Sequence, residues 1–255
     1  MQVSEHILAG MDSVGLDEIG SHALMNRVDT KYVFGVDRLA TLLEGVSDDY
    51  RVLQVRGEAI APYTTLYFDT IDRRCYLRHH NGQRTRQKVR IRQYRSTGEA
   101  FLEVKEKDNK GRTLKSRLPV PGFSEVLSRE QQDFVDQITG RGNQWTPTLL
   151  TEFRRIALVH KNCAERVTID LDLTFARDIH ARNGSVLRVP GLVIAEVKQE
   201  SDNRRSSLRA KLKQMGNRPT RMSKYCIGSA LLDPGRKRNR FKSQLRTILE
   251  KANAE

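Results

Sequence analysis

The stretch QKVRIRQY, residues 87–94, places basic and apolar side chains on alternate positions. Successive side chains of an extended chain point to opposite faces, so Lys88, Arg90 and Arg92 share one face and the apolar residues between them share the other. The stretch therefore predicts a β-strand with one basic face. A similar alternation of charged and apolar residues occurs in FLEVKEK (101–107), ERVTIDLDL (165–173), VIAEVK (193–198) and, less regularly, TLKSRL (113–118).

Two interpretations of these strands are open. An antiparallel sheet that packs on one face and meets water on the other shows the same alternation. Across five strands, however, the polar faces are dominated by Arg and Lys, which repel one another unless an anion lies among them. Guanidinium groups bind phosphate oxygens bidentately. The pattern favours a barrel whose charged faces surround a polyanion, and the acids on those faces could hold a hard cation: Glu103, Asp170, Asp172 and Glu196.

The remaining periodicity predicts an α+β fold, an antiparallel β-barrel with helices packed outside. Asn81-Gly82 predicts a hairpin between a short segment near Tyr76 and the strand at 84–95. The other strands are predicted at 26–34, 63–69, 99–107, 112–118, 148–160, 165–175 and 186–199, and the helices at 37–46, 124–138, 206–215 and 240–252. The expected organisation is an N-terminal helical segment (1–24), a tunnel domain (25–233) and a basic C-terminal helix (234–255).

Bulk properties narrow the class of protein. The 255 residues are 38% hydrophobic and 30% charged, with a formal net charge of +14. Such a charge favours an anionic partner: nucleic acid, an acidic membrane surface or phosphate compounds. The cysteines lie far apart without metal-ligand spacing, so reduced cytoplasmic thiols are expected. No apolar run approaches the roughly 18–20 residues of a membrane span, so no transmembrane segment is expected.

Eight short motifs follow one another along the chain: RVDTKY (27–32), TLYFDT (65–70), VRIRQY (89–94), FLEVK (101–105), FRRIA (153–157), RVTID (166–170), AEVK (195–198) and SKY (223–225). Their order resembles the VTC domain, the polyphosphate polymerase domain of the vacuolar transporter chaperone complex and its bacterial homologues. That family belongs to the triphosphate tunnel metalloenzymes. The resemblance implies a tunnel of antiparallel strands that transfers the γ-phosphoryl group of ATP to a growing polyphosphate chain with Mn²⁺ or Mg²⁺.

The resemblance also implies roles for individual side chains. Lys31 is the basic residue most closely tied to catalysis, and Arg90 and Arg92 join it in the predicted catalytic set. Predicted phosphate-binding residues are Lys105, Arg155, Arg166, Lys198 and Lys224. Glu196 is the implied metal-binding carboxylate, and the acids on neighbouring charged faces, Glu103 and Asp170, are predicted as further metal ligands.

The motifs depart from the family pattern at one position and leave another undecided. Asp29 stands where the family usually has Glu, so a metal contact from this strand is shorter or lost. The related cyclase and thiamine-triphosphatase branch begins with E-x-E-x-K, which the stretch RVDTK disfavours. Arg154 and Arg155 are adjacent, and the alternation allows only one of them to face the tunnel.

The predicted function is a metal-dependent polyphosphate polymerase whose partners are ATP and inorganic polyphosphate, with no specific nucleic acid. A tunnel triphosphatase and a non-catalytic binder of polyphosphate or nucleic acid are the alternatives. A cytoplasmic location is predicted, and attachment to the inner face of a membrane through a membrane-protein partner is left open. The basic run GRKRNRFK (235–242) is either a solvated helix start or a contact for an acidic membrane or emerging polymer.

Overall fold

The computed structural model describes residues 2–19, 27–177, 186–200 and 206–252. Its strands are β1 (Ser13–Val14), β2 (Val28–Gly35), β3 (Tyr50–Leu53), β4 (Ile60–Thr70), β5 (Arg86–Tyr94), β6 (Ala100–Lys107), β7 (Thr113–Val120), β8 (Trp145–His160), β9 (Glu165–Ala176), β10 (Val186–Val189) and β11 (Leu192–Gln199). Its helices are α1 (Gln2–Gly10), α2 (Leu16–Ile19), α3 (Leu39–Glu44), α4 (Arg74–His80), α5 (Arg129–Thr139), α6 (Ser207–Gln214), α7 (Lys224–Leu232) and α8 (Lys242–Ala252).

The strands form one sheet in the order β2-β11-β9-β8-β4-β5-β6-β7, and neighbours on this path are antiparallel. The sheet curls, as shown by the proximity of Lys31 in β2 to Lys105 in β6: the charge of Lys31 acts on the pKa of Lys105 although five strands lie between β2 and β6 along the path. Within the described strands β2 and β7 do not pair, so the barrel is tunnel-like and open along that seam. The predicted α+β fold class, an antiparallel barrel with helices, is confirmed.

Helices α1, α3 and α6 cover the outer face of β2, β11, β9 and β8. Leu8, Leu42 and Leu212 from these helices share one buried cluster with strand residues such as Val167 and Val197. Helix α5 packs outside β6, where Val135 is buried. These apolar faces are the ones that the alternation assigned to the core.

Helix α7 packs on the inner face of the barrel. A Cβ atom at Gly228 would lie 2.4 Å from the Phe175 ring and 2.9 Å from Leu149, so only glycine allows this helix to approach β8 and β9 so closely. Tyr225 stacks on Tyr67 of β4, with ring centroids 5.2 Å apart. These contacts of Gly228 and Tyr225 hold the first turn of α7 against the inner face of the barrel, where Lys224 reaches Asp170.

A β-bulge in β9 changes which residues of that strand face inward. The register with β8 shifts between Glu152 and Arg154, and Asp172 has a left-handed backbone with φ of 52°. Asp tolerates this conformation better than most residues, and an extra residue in one strand reverses the side-chain phase beyond it. Asp170 therefore faces inward before the bulge, and Phe175 faces inward after it.

The structure corrects several local predictions. The segment near Tyr76 is helix α4 and not a hairpin strand. Its backbone N–H groups at Cys75 and Tyr76 donate to the buried Asp69 carboxylate, and Asn81 ends it before Gly82 at φ of 73°. An Asn-Gly pair suits a helix end as well as a hairpin, because both require a left-handed residue.

Other boundaries shift with turn chemistry. The strand predicted at 186–199 is divided by Pro190-Gly191 into β10 and β11. The helix predicted at 124–138 begins at Arg129, where Ser128 and Gln131 form a capping box. Residues 20–24 of the predicted N-terminal segment, and residue 26 of the first predicted strand, lie outside the described residues.

Candidate functional site

Glu196 lies on the inner face of β11 between two lysines. Its Oε1 accepts a hydrogen bond from Lys31 Nζ on the directly opposed position of β2. Its Oε2 lies 3.0 Å from Lys198 Nζ, which also donates to Thr168 Oγ1 at 2.8 Å. Burial alone would raise the pKa of Glu196, but Lys198 and Lys31 hold it well below its ordinary value. The carboxylate is therefore ionised and shared.

Asp170 of β9 repeats this arrangement one step further along the barrel. Arg155 of β8 binds it bidentately, with Nε to Oδ1 at 2.6 Å and Nη2 to Oδ2 at 2.9 Å, and Lys224 at the start of α7 donates to Oδ2. Arg154 points outward and bonds Asp172 at 2.8 Å. The structure thus places Arg155, and not its neighbour, on the inner face.

Glu103 of β6 is the third inner carboxylate, and its side chain is 1% exposed. Arg90 of β5 contacts Oε2 through Nη2 at 2.6 Å, and Lys115 of β7 pairs with Oε1. Burial alone would raise the pKa of Glu103, but Arg90, Arg92 and Lys115 lower it to about 2. Each of the three acids is therefore held ionised by two cations, and each trio keeps a net positive charge.

Further inner cations contact no acid among the described residues. Arg92 donates through Nε to Thr65 Oγ1 at 3.4 Å, and Lys88 donates to Ser223 Oγ at 3.0 Å. Lys105 forms no hydrogen bond or ion pair within the part of the chain that the structure describes. Burial, together with Lys88 and Lys31, lowers the pKa of Lys105 to about 8. Cations buried without acids favour an anionic ligand.

An aromatic strip separates the cations of β5 from those of β8. We use this name for Tyr63 and Tyr67 of β4 together with Phe153 of β8. The guanidinium of Arg90 lies 6.0 Å from the Tyr67 centroid, and Lys224 Nζ lies 4.4 Å from the Phe153 centroid. The rings stabilise cations through their π faces without neutralising them.

Two further residues that the sequence analysis discussed lie beside Lys198 on the neighbouring strands. Arg166 is the second residue of β9, and burial together with the nearby charge of Arg27 lowers its pKa. Asp29 of β2 accepts a hydrogen bond from Arg27 Nε at 2.9 Å. Both residues are directly opposed to Lys198, Asp29 from β2 and Arg166 from β9, so they flank the Glu196 trio on its Lys198 side.

The predicted metal ligands do not converge on one point. Glu103, Asp170 and Glu196 belong to separate trios, and no group of three or more Asp, Glu, His or Cys side chains forms a metal cage in the described ranges. Mg²⁺ is commonly bound by one or two carboxylates with substrate phosphates supplying the remaining ligands. The donor set fits a metal carried by a phosphate chain with Glu196 as a single protein ligand, and it does not fit a three-carboxylate site.

Sequence reasoning left several inner residues out of the site. Lys88 belongs to the same alternation as Arg90, and Lys115 to that of the neighbouring strand, so their pattern could have found them. Tyr63 and Phe153 carry no such signal, because aromatic residues in strands are usually core residues. Ser223, which accepts from Lys88, is the N-cap of α7, a helix that was not predicted.

The fold and the inner face together define a protein with a tunnel-like barrel. Its inner face is cationic, and three acids neutralise only part of that charge, which suits the binding of phosphate chains. The sequence matches the VTC domain over residues 26–233. The chain belongs to the VTC domain family, and the family prediction made from its motifs is confirmed.

Solved structures of similar fold are distant in sequence. An adenylyl cyclase-like protein from Hippeastrum, described with a dominant triphosphatase activity, is 14% identical with a TM-score of 0.49, over 85% of this chain and 99% of that chain. An adenylate cyclase-like protein from Vibrio parahaemolyticus is 12% identical with a TM-score of 0.47, over 78% of this chain and 95% of that chain. No curated protein matches the sequence. Among the described helices, none is long and apolar enough to cross a membrane.

Proposed function

We propose that this protein is a polyphosphate polymerase that transfers the γ-phosphoryl group of ATP to the end of an inorganic polyphosphate chain. The observation that carries the proposal is the excess of cations over acids on the inner face. Three acids are shared by six cations, and three more cations have no acid among the described residues: Lys31, Lys198, Arg155, Lys224, Arg90 and Lys115 in the first group, and Lys88, Arg92 and Lys105 in the second. Membership of the VTC domain family supports the same reaction.

The proposed mechanism uses position and charge. A terminal phosphate oxygen of the growing chain attacks the γ-phosphorus of ATP, the bond to the bridging oxygen of the β-phosphate breaks, and ADP leaves. Both reactants are polyanions, so fixed cations must offset their repulsion, and phosphoryl transfer needs little else from a protein. Arg90, Arg92 and Lys31 face the same interior and would bind the reacting phosphates.

Glu196 is the proposed protein ligand of a Mn²⁺ or Mg²⁺ ion, which when bound would supply positive charge to offset the charge of the transferred phosphoryl group. Lys31 and Lys198, which contact Glu196 in the structure, would then bind the phosphates. Glu103 and Asp170 remain candidate ligands, although each is occupied by an Arg and a Lys. We propose that their main role is to keep those cations oriented inside the barrel.

Incubation of the pure protein with ATP and Mn²⁺ tests the proposal. A phosphatase-sensitive polymer ladder is expected on gels. Free phosphate without polymer would instead identify a tunnel triphosphatase. The absence of both products would identify a non-catalytic binder. Lys31→Ala and Arg90→Ala should each reduce polymer synthesis to near background without unfolding the protein. Arg154→Ala is the matched control, because Arg154 points to the outer face, and normal synthesis by folded Lys31→Ala would contradict the site assignment.

The proposed setting is the cytoplasm, where Cys75, Cys163 and Cys226, which are free in the structure, stay reduced. The basic segment 235–242 packs against α4, where Arg240 donates to the Asn81 carbonyl at 2.6 Å. Its other basic side chains would contact an acidic membrane face or the emerging polymer. Sedimentation with vesicles of anionic lipid tests the first of these contacts.

A further inference from the structure

Two rings of the aromatic strip each lie under two cations: Tyr63 under Arg92 and Arg155, and Phe153 under Arg155 and Lys224. The two cations over Tyr63 come from different strands, β5 and β8. We propose that Tyr63 is a positioning residue that holds the guanidinium groups of Arg92 and Arg155 toward a single condensed phosphate chain. The choice of ligand rests on the proposed function. The positioning role rests on the geometry of the strip.

The geometry makes Tyr63 a common support. β4 lies between β5 and β8 in the sheet, and the guanidinium carbons of Arg92 and Arg155 lie 5.8 Å and 4.9 Å from the Tyr63 ring centroid. Phe153 stacks on the same ring, with centroids 5.4 Å apart and planes inclined by 10°. The stack restrains the tilt of the Tyr63 ring, and so restrains the face on which both guanidinium groups lie.

A ring serves a binding site differently from a carboxylate. A carboxylate occupies the donor fork of an arginine and cancels its charge, whereas a π face attracts the cation and leaves the N–H groups free. Arg92 uses only Nε, toward Thr65, among the residues that the structure describes. Both of its terminal nitrogens therefore remain available for phosphate oxygens.

Arg92 and Arg155 also repel each other, and this explains why a support is needed. Burial and then the charges of Arg90 and Arg155 lower the pKa of Arg92, so the two guanidinium groups are within electrostatic reach. Asp170 holds Arg155 in place, so without a ligand and without the ring the favourable response of Arg92 would be to move away from Arg155. The face of the Tyr63 ring opposes that movement because it attracts the cation without neutralising its charge.

Two substitutions at this position separate the ring from its hydroxyl. Tyr63→Phe keeps the ring and should bind inorganic tripolyphosphate within twofold of the wild type, measured by titration calorimetry on the full chain. Tyr63→Leu removes the π face and should bind about tenfold more weakly, which corresponds to about 1.4 kcal/mol. Tyr94→Leu is the control, because Tyr94 meets Tyr63 edge-on at 5.1 Å and has no cation over its ring among the described residues.

Equal affinity of Tyr63→Leu and wild type would overturn the proposal, and so would an equal loss in Tyr94→Leu. If Tyr63→Leu does not fold, pentafluorophenylalanine at position 63 keeps the ring shape and withdraws electron density from its face, and the same tenfold loss is expected. Unchanged affinity with that residue would overturn the proposal as well. A wild type that binds tripolyphosphate but makes no polymer contradicts the polymerase and leaves this comparison of affinities valid.

Discussion

The two sides of the tunnel bury charge in different ways. In the β9 wall, formed by β2, β11, β9 and β8, the cations near the centre meet Glu196 or Asp170, and the inner face becomes apolar beneath α7. In the β5 wall, formed by β5, β6 and β7, cations continue along alternate residues, and Glu103 is the one acid among them in the part of the chain that the structure describes. We therefore expect the cations of the β9 wall to be neutralised mainly by acids of the protein, and those of the β5 wall to be neutralised by a bound anion.

The largest expected effect is on the stability of the β9 wall. Asp170→Ala leaves Arg155 and Lys224 buried beside each other without an acid, and breaking such a buried group costs about 3–5 kcal/mol. We expect a loss of that size in the free energy of unfolding, measured by urea denaturation. Asp172→Asn on the outer face should lose under about 1 kcal/mol, because its partner Arg154 is partly exposed. Equal losses would remove the distinction between buried and exposed acids.

The β5 wall should show the reverse pattern, with binding affected and stability preserved. Arg92→Ala removes a charge that has no acid partner among the described residues, so the free energy of unfolding should change by less than about 1 kcal/mol. The substitution also removes charge-assisted hydrogen bonds to the ligand, which contribute about 1.5–3 kcal/mol to binding. Tripolyphosphate should therefore bind about tenfold to a hundredfold more weakly. Arg95→Ala, at an exposed position of the same strand end, is the control. Strong binding by folded Arg92→Ala would contradict a ligand-dependent wall.

A pH titration sharpens the comparison through Lys105. Its pKa is lowered from 10.5 to about 8, so the folded protein loses this charge as pH rises through 8, and tripolyphosphate affinity should fall between pH 7 and 9. In the same range the unfolded chain keeps the proton that the folded state has lost, so this group makes stability rise with pH. Lys105→Arg keeps its charge and should remove that part of the fall in affinity. A decline of identical size in both proteins would exclude Lys105 as its source.

The smallest expected effect concerns Lys115, at the exposed rim of the β5 wall. Its side chain is 41% exposed, and Glu103 keeps Arg90 when Lys115 is removed. Lys115→Ala should therefore cost less than about 1 kcal/mol in the free energy of unfolding. Arg90→Ala, which removes the more deeply buried partner of the same acid, should cost more. Chemical denaturation of the two variants in parallel gives the comparison.

The two walls also differ in how far the sequence predicts them. Alternation is a local property, so the inner positions of Arg90, Arg92 and Lys105 follow from neighbouring residues alone. The pairing of those charges is not local. Lys31 and Glu196 are 165 residues apart, and only the register of β2 with β11 brings them together.

Helix α7 shows what the local pattern could not contain. Its residues are apolar on nearly every side, which removes the amphipathic signal used to predict helices. Ser223 as an N-cap was the available clue. The inward position of the helix depends on the space that Gly228 leaves beside Phe175. This tertiary contact also determines where Lys224 lies, because Lys224 is the first residue of the helix. Similarly, Tyr63 becomes a support for two arginines only because β4 lies between β5 and β8.

The bulge at Asp172 sets a length as well as a direction. On its N-terminal side β9 offers Asp170 and Thr168 to the interior, and on its C-terminal side it offers Leu173 and Phe175. The boundary between charged and apolar lining therefore coincides with a single inserted residue. Moving that insertion by two positions along β9 would lengthen or shorten the polar lining by one side-chain layer, so the position of the bulge sets how far the polar lining extends along this side of the tunnel.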